Sequence, residues 1–152
     1  MITVREYTPA DLEAVLALFY ETVHSVNARD YASHALDAWA PRTPDRDRWR
    51  TRLAAERVLL AECNGTLLGF ASLHVEHGLL DHLFVHSHYQ RRGIATLLCD
   101  CLERFAETPA LYTEASLTAV PFFSARGYKI VRRQQVVCNG EVLENIVMRK
   151  DL

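Results

Sequence analysis

A chain of 152 residues, 49% hydrophobic and 24% charged, has the composition of an ordinary globular protein and not of a disordered or fibrous one, and at this length a single domain burying about 70% of its unfolded surface is expected. The formal net charge of −2 argues against a protein that coats nucleic acid or an anionic membrane and favours small ligands. No apolar run is long enough to span a membrane, the first residues do not read as a signal segment, and Cys63, Cys99, Cys101 and Cys138 lack C-x-x-C spacing, which suits reduced thiols in a cytoplasmic protein.

In chain order, ITVREY (2–7) alternates apolar and polar side chains as a strand does. Thr8 and Pro9 then stand where a helix takes its N-cap and first residue. Leu12, Val15, Leu16, Phe19 and Val23 recur at three- and four-residue steps, so one face of that helix should lie on a sheet. Residues 31–56 read as a short helix, a break at Pro41 and Pro44, and a second helix. From Val58 the period becomes that of strands: VLLAEC, a turn at Asn64-Gly65, TLLGFASLHVEH, and GLLDHLFVH from Gly78. Ile94, Leu97, Leu98, Cys101, Leu102 and Phe105 mark a long helix. ALYTEAS (110–116) reads as a strand, TAVPFFSARG (118–127) as a short helix ending on Gly127, and 128–150 as a hairpin turning at Asn139-Gly140. The order predicts a mixed α/β (α+β) domain.

The stretch HYQRRGIATLL (88–98) leaves the apolar strand segment Leu83–Val85 and enters a helix at about residue 92. A helix start presents unpartnered N–H groups and a partial positive charge, so a phosphate can dock there. Gly93 and Ala95 keep side chains out of the way, and Arg91 and Arg92 add charge. The alternative is that the arginines are solvated cap residues and Gly93 serves a turn. Neither G-x-x-x-x-G-K-[ST] nor G-x-G-x-x-G occurs.

QRRGIA (Gln90 to Ala95) matches [QR]-x-x-G-x-[GA], the hallmark of the GNAT superfamily of acyl-CoA-dependent N-acetyltransferases, and AVPFFSARGY (119–128) resembles that family's A-x-x-F-[FY]-x-x-x-G-[FY] helix. Together with LFVHSHYQ (83–90), which is similar to the family's fourth strand and its exit, the resemblance runs from Val58 to the C-terminus. It is nearest to small bacterial members carrying a Tyr and an AWA between the first helices, here Tyr31 and residues 38–40 with Trp39. The resemblance implies a mixed central sheet splayed between strands 4 and 5, flanked by helices. It implies acetyl-CoA as cosubstrate, with no metal, and transfer to a primary amine of a small molecule or peptide by direct attack. Residue by residue, it implies that the main chain of Leu83, Phe84 and Val85 pairs with the pantetheine arm. Gln90, Arg91, Arg92, Gly93, Ile94, Ala95 and Thr96 form the pyrophosphate loop. Phe122 and the stretch from Ser116 to Phe123 flank the thioester, and Tyr31 and Trp39 wall the acceptor pocket. An acyl-CoA and an amine acceptor are then the partners, with no nucleic acid or membrane; a homodimer is compatible with such folds.

Two departures from the family pattern bear on catalysis. Many members have Asn where Ser116 stands and, where Phe123 stands, a Tyr credited with protonating the leaving sulfur; water, Tyr128 or Tyr89 are the remaining acid candidates. For the base, either Asp81 with His82 or His74 with Glu76 could reach an amine, and each is also readable as a structural strand residue. The missing Tyr leaves open a second class, a non-catalytic CoA-binding module. His86 and His88 would share a strand face if the strand reached them, which leaves a metal-binding domain as a further rival, although no H-E-x-x-H or cysteine pair completes a set.

Overall fold

The computed structural model describes all 152 residues, Met1–Leu152. In chain order the elements are β1 (Thr3–Glu6), α1 (Leu12–Ser25), α2 (Ser33–Trp39), α3 (Arg46–Ala54), β2 (Arg57–Cys63), β3 (Thr66–His74), β4 (Leu79–Val85), α4 (Ile94–Glu103), β5 (Ala110–Ser116), α5 (Val120–Ala125), β6 (Lys129–Cys138) and β7 (Glu141–Asp151). The strands form one seven-stranded sheet in the order β1-β2-β3-β4-β5-β7-β6, antiparallel throughout except at the β4–β5 pair. Both Asn-Gly pairs make the expected tight turns, with φ of 51° and 80° at Asn64 and Gly65 and 47° and 83° at Asn139 and Gly140. Two consecutive positive φ values are what a two-residue hairpin turn requires.

The sequence periods sort apolar side chains onto the two faces of the sheet. On one face α1 buries Val15, Leu16, Phe19 and Val23 with Leu60 and Phe70 of the sheet. On the other, Leu98, Cys99 and Leu102 of α4 bury with Leu59, Ala71 and Met148. At roughly 25 cal/mol per Å² of apolar surface, each fully buried Leu or Phe stabilises the fold by about 1.5–3 kcal/mol. All four cysteines are free, and burial pushes the Cys99 thiol up to about 12, so that residue is an inert part of the core.

Helix starts differ from the sequence reading by a few residues, for local reasons. Thr8 caps as expected, with its N–H donating to Asp11 Oδ2 at 2.8 Å, but Pro9–Asp11 form a 3-10 turn before α1 begins at Leu12. The fourth helix begins at Ile94 and not at 92, because Arg91 and Gly93 hold φ at 60° and 78°. Those values lie in the left-handed region, where a right-handed helix cannot continue.

The sheet opens in its middle. β4 and β5 pair only at Leu79↔Tyr112 and Leu80↔Thr113, with the Thr113 hydroxyl donating to Leu80 O at 3.0 Å. On its other edge β4 stays paired to β3 as far as Val85, but with a bulge: Leu80 faces Leu73, His82 faces Ser72, and Asp81 is the extra residue between them. A bulge bends its strand and re-aims a side chain. Here it brings Asp81 and His82, neighbours that an unbroken strand would send to opposite faces, to within 3.5 Å of each other.

Candidate active site

The gap between the diverging strands opens into a cleft of about 1250 Å³, roofed by α1, α2, α3 and the α2–α3 link and floored by β4, β5 and β7. Leu83, Phe84, Val85, Gln90, Ala95, Ser116, Phe122 and Phe123 line it, as do Tyr31, Trp39, Asp81 and His82. Residues that the sequence placed in separate roles therefore share one cavity.

At the helix-start end, the loop has an anion-binding form. The amides of Arg91, Arg92 and Gly93 donate to no group of the protein. The loop's alternation of φ sign, with Arg91 and Gly93 positive, is the backbone arrangement that turns successive N–H groups into one concavity. A Cβ at Gly93 would meet nothing within 4 Å, so the space above the loop is open. Arg91, Arg92 and Thr96 are exposed, Ala95 is half-buried, and Ile94 is buried in the core, where it anchors the loop from below. Gln90 donates from Nε2 to Val85 O at 2.6 Å and the Thr22 hydroxyl donates to the same oxygen at 3.2 Å. The Val85 carbonyl is thus engaged within the protein.

At the other end, the bulge builds a buried cluster of charged groups. His82 Nδ1 lies 2.7 Å from Ser72 Oγ and 3.7 Å from Glu56 Oε1. Arg52 donates to both oxygens of Asp81 at 2.7 Å. The Glu56 side chain is only 4% exposed, yet its Oε1 has no hydrogen-bond partner. Burial by itself would raise the Asp81 carboxyl; the His82 ring and the Arg52 guanidinium outweigh it and hold that carboxyl below its usual value. Glu56 and Arg52 escaped the sequence reading, since nothing in their spacing connects the end of α3 to a bulge some 25 residues later.

Between the two ends, Ser116 Oγ accepts from Asn27 Nδ2 at 3.3 Å and from the Ala119 amide at 3.2 Å. Tyr31 donates its hydroxyl proton to Glu144 O at 2.6 Å and accepts from the Leu117 amide at 3.0 Å, which ties the cleft roof to β7 and the β5–α5 link. Its ring lies 5.5 Å from that of Trp39, which in turn lies 6.0 Å from Phe84. Phe123 is 2% exposed, wedged between Phe122 and Tyr128 at ring distances of 5.2 and 5.0 Å.

Several expected alternatives fall away. Tyr128 is buried behind Phe123, outside the cleft lining, with a hydroxyl that has no partner and a titration pushed up by burial. Tyr89 is also outside the lining, under the Arg92 guanidinium at 5.3 Å. His74 ends β3 and stacks on His77 at 4.2 Å, and Glu76 lies in the turn beyond it, so this pair does not reach the cleft. β4 ends at Val85 and Ser87–Tyr89 form a 3-10 turn, so His86 and His88 share no strand face, although their rings lie 5.1 Å apart.

A splayed mixed sheet, with unpartnered amides at a helix start on one side of the gap and buried titratable groups on the other, is the architecture of an acetyltransferase. Residues 27–152 match the family model for the acetyltransferase (GNAT) domain. The chain is 36% identical over 148 residues to the uncharacterized N-acetyltransferase YafP of Escherichia coli K12, covering 97% of this chain and 95% of that one. Among solved structures, a GCN5-related N-acetyltransferase from Rhodopseudomonas palustris superposes with a TM-score of 0.95 at 35% identity, over 99% of this chain and 95% of that one. The fold also matches PaiA N-acetyltransferase of Thermoplasma acidophilum, solved in complex with coenzyme A, with a TM-score of 0.80 at 16% identity over 100% and 99% of the two chains. The protein belongs to the GNAT acetyltransferase family and is an N-acetyltransferase.

Proposed function

We propose that the chain acts as one domain, in the cytoplasm, and acetylates a primary amine by direct attack, with the cluster around His82 taking the proton that the amine must lose. The observation that carries this reading is the β4 bulge, which brings Asp81 and His82 to the cleft beside the buried Glu56 carboxylate, one oxygen of which has no hydrogen-bond partner. An alkylamine with a pKa near that of lysine, about 10.4, enters as an ammonium and cannot attack until it is deprotonated. One proton shared among Glu56, Asp81 and His82 makes the cluster neutral with Arg52. Without that proton it carries one net negative charge, which attracts the ammonium by about 4 kcal/mol at 4 Å and an effective dielectric of 20. His82 then accepts the proton, and Glu56 and Asp81 stabilise the resulting imidazolium.

The freed amine adds to the thioester carbonyl; the C–N bond forms, the C–S bond breaks, and the second amine proton ends on the departing sulfur. The amides of Arg91, Arg92 and Gly93 hold the pyrophosphate, and the open edge of β4 at Leu83 and Phe84 pairs with the pantetheine arm. Since Phe123 offers no proton, CoA leaves as a thiolate, and water relays the amine's second proton to its sulfur. A thiol pKa of about 8.5 makes that leaving group tolerable without a tyrosine acid.

The His82→Gln enzyme tests this reading. kcat should fall by roughly 10²–10⁴-fold while acetyl-CoA affinity, measured by calorimetry, stays within a few-fold. Glu56→Gln takes a negative charge from beside the ring, and kcat should fall while acetyl-CoA affinity holds. A folded His82→Gln protein with unchanged kcat would contradict the assignment.

A further inference from the structure

Because the cluster at Asp81 and His82 marks where the acceptor nitrogen must sit, the walls beside it report what the rest of the acceptor is. Five rings run together there. Phe19 meets Trp49 at 4.9 Å, Phe84 at 5.0 Å and Trp39 at 6.4 Å, all edge to face. Tyr31 extends the row from Trp39, and Trp49 lies 5.1 Å from the His82 ring. All five line the cleft, and Trp39 and Trp49 are only half-buried, so their faces are not fully used by the fold.

The charges of the cleft do not narrow the acceptor further. A site for a polyamine or an aminoglycoside needs several free carboxylates, one for each cationic nitrogen. Here Glu13 is held by Arg46 at 2.9 Å, Asp81 by Arg52 and Glu144 by Arg133, and Asp45 is occupied as the cap of α3. At the mouth, the guanidinium groups of Arg42 and Arg48 line the cleft without a side-chain partner. Asp37, Glu114 and Glu141 also line the cleft and none of them is held by an arginine or lysine, so the uncommitted charge there is of both signs.

We infer that the acceptor is a small primary amine carrying a flat aromatic group: an arylalkylamine or an aromatic amino acid. This rests on the acceptor site described above. The amine would enter the Asp81–His82 corner with its ring against Trp39 and Trp49. A carboxylate, where present, would meet Arg42 or Arg48. An offset or edge-to-face pair favours a ring beyond the area it buries, so two such contacts plus burial set a preference.

Thiol release from acetyl-CoA is measured with phenethylamine, tryptamine, phenylalanine, spermidine, kanamycin and a lysine peptide, beside calorimetry with CoA alone. The expected result is a kcat/KM at least tenfold higher for the best aromatic amine than for any polycation. Trp39→Ala should then raise KM for the aromatic amines by tenfold or more while CoA affinity stays within a few-fold. Trp39→Phe, which keeps a ring and guards against a misfolded alanine variant, should retain part of the preference. Turnover of a polycation in preference to every aromatic amine, or turnover of no aromatic amine, overturns the inference. The calorimetry separates these outcomes from failure of the acetyltransferase site itself, which would appear as loss of CoA binding.

Discussion

Gly93 combines an open position above the loop with a backbone conformation that only glycine adopts freely, so the substitutions Gly93→Ala and Gly93→Glu separate strain from electrostatics. With φ at +78°, any L side chain there costs about 1–2 kcal/mol, and with nothing within 4 Å of the added Cβ no steric penalty is added. Both variants should lose that amount of stability in urea unfolding and remain folded at 25 °C. Gly93→Ala should bind CoA within a few-fold of the wild type, since its methyl group is uncharged and the amides stay in place. Gly93→Glu sets a carboxylate over the three unpartnered amides. A unit charge about 4 Å from a phosphate at an effective dielectric of 20 costs about 4 kcal/mol, and salt screening at the surface lowers this to roughly 3. At 1.4 kcal/mol per decade the dissociation constant should rise 10²- to 10³-fold. Calorimetric titration with CoA reads it directly. A folded Gly93→Glu protein that binds CoA as the wild type does would refute the phosphate loop, and equal losses in both variants would show that backbone distortion, not charge, controls binding.

Two further outcomes follow from individual side chains. Tyr128 has a buried hydroxyl with no partner and does not line the cleft, so Tyr128→Phe should raise unfolding stability by about 1 kcal/mol and leave kcat unchanged; a fall of orders of magnitude in kcat would make Tyr128 the missing acid. Arg5 holds the Asp11 carboxyl at about 2, well below its usual 3.8, so the pair's contribution is fully present above pH 5 and is lost as pH falls through 4 toward 2. Asp11→Asn should therefore flatten the decline in stability between pH 5 and 2, as followed by circular dichroism, and an unchanged acid decline would show that the ion pair contributes nothing.

Much of this fold is legible in the sequence, because each strand and helix has a clean apolar period and both hairpins announce themselves as Asn-Gly. The loop of residues 90–96 is legible for the same kind of reason: the phosphate site proposed there resides in consecutive backbone amides, which a contiguous motif specifies. The acid–base cluster is not. Asp81 and His82 look like opposite-facing strand residues until the Ser72–Leu73 register forces the bulge between them, and Glu56 joins them only through the packing of α3 against the sheet. The competing pair His74 and Glu76 looked as good in sequence, because the text continues apolar–polar past the point where β3 stops. The aromatic wall was half visible: Tyr31 and Trp39 stood out, but Phe19 reads as an ordinary core position of an amphipathic helix, and Trp49 lies on a helix with little apolar face of its own.

The most direct test of the central claim is a crystal structure of this protein with acetyl-CoA. The acetyl-transfer site described here requires the pantetheine arm in the gap between β4 and β5, the pyrophosphate on the amides of Arg91 to Gly93, and the thioester carbon opening toward His82. Acetyl-CoA bound outside that gap, or with its thioester turned away from the Asp81–His82 corner, would contradict it.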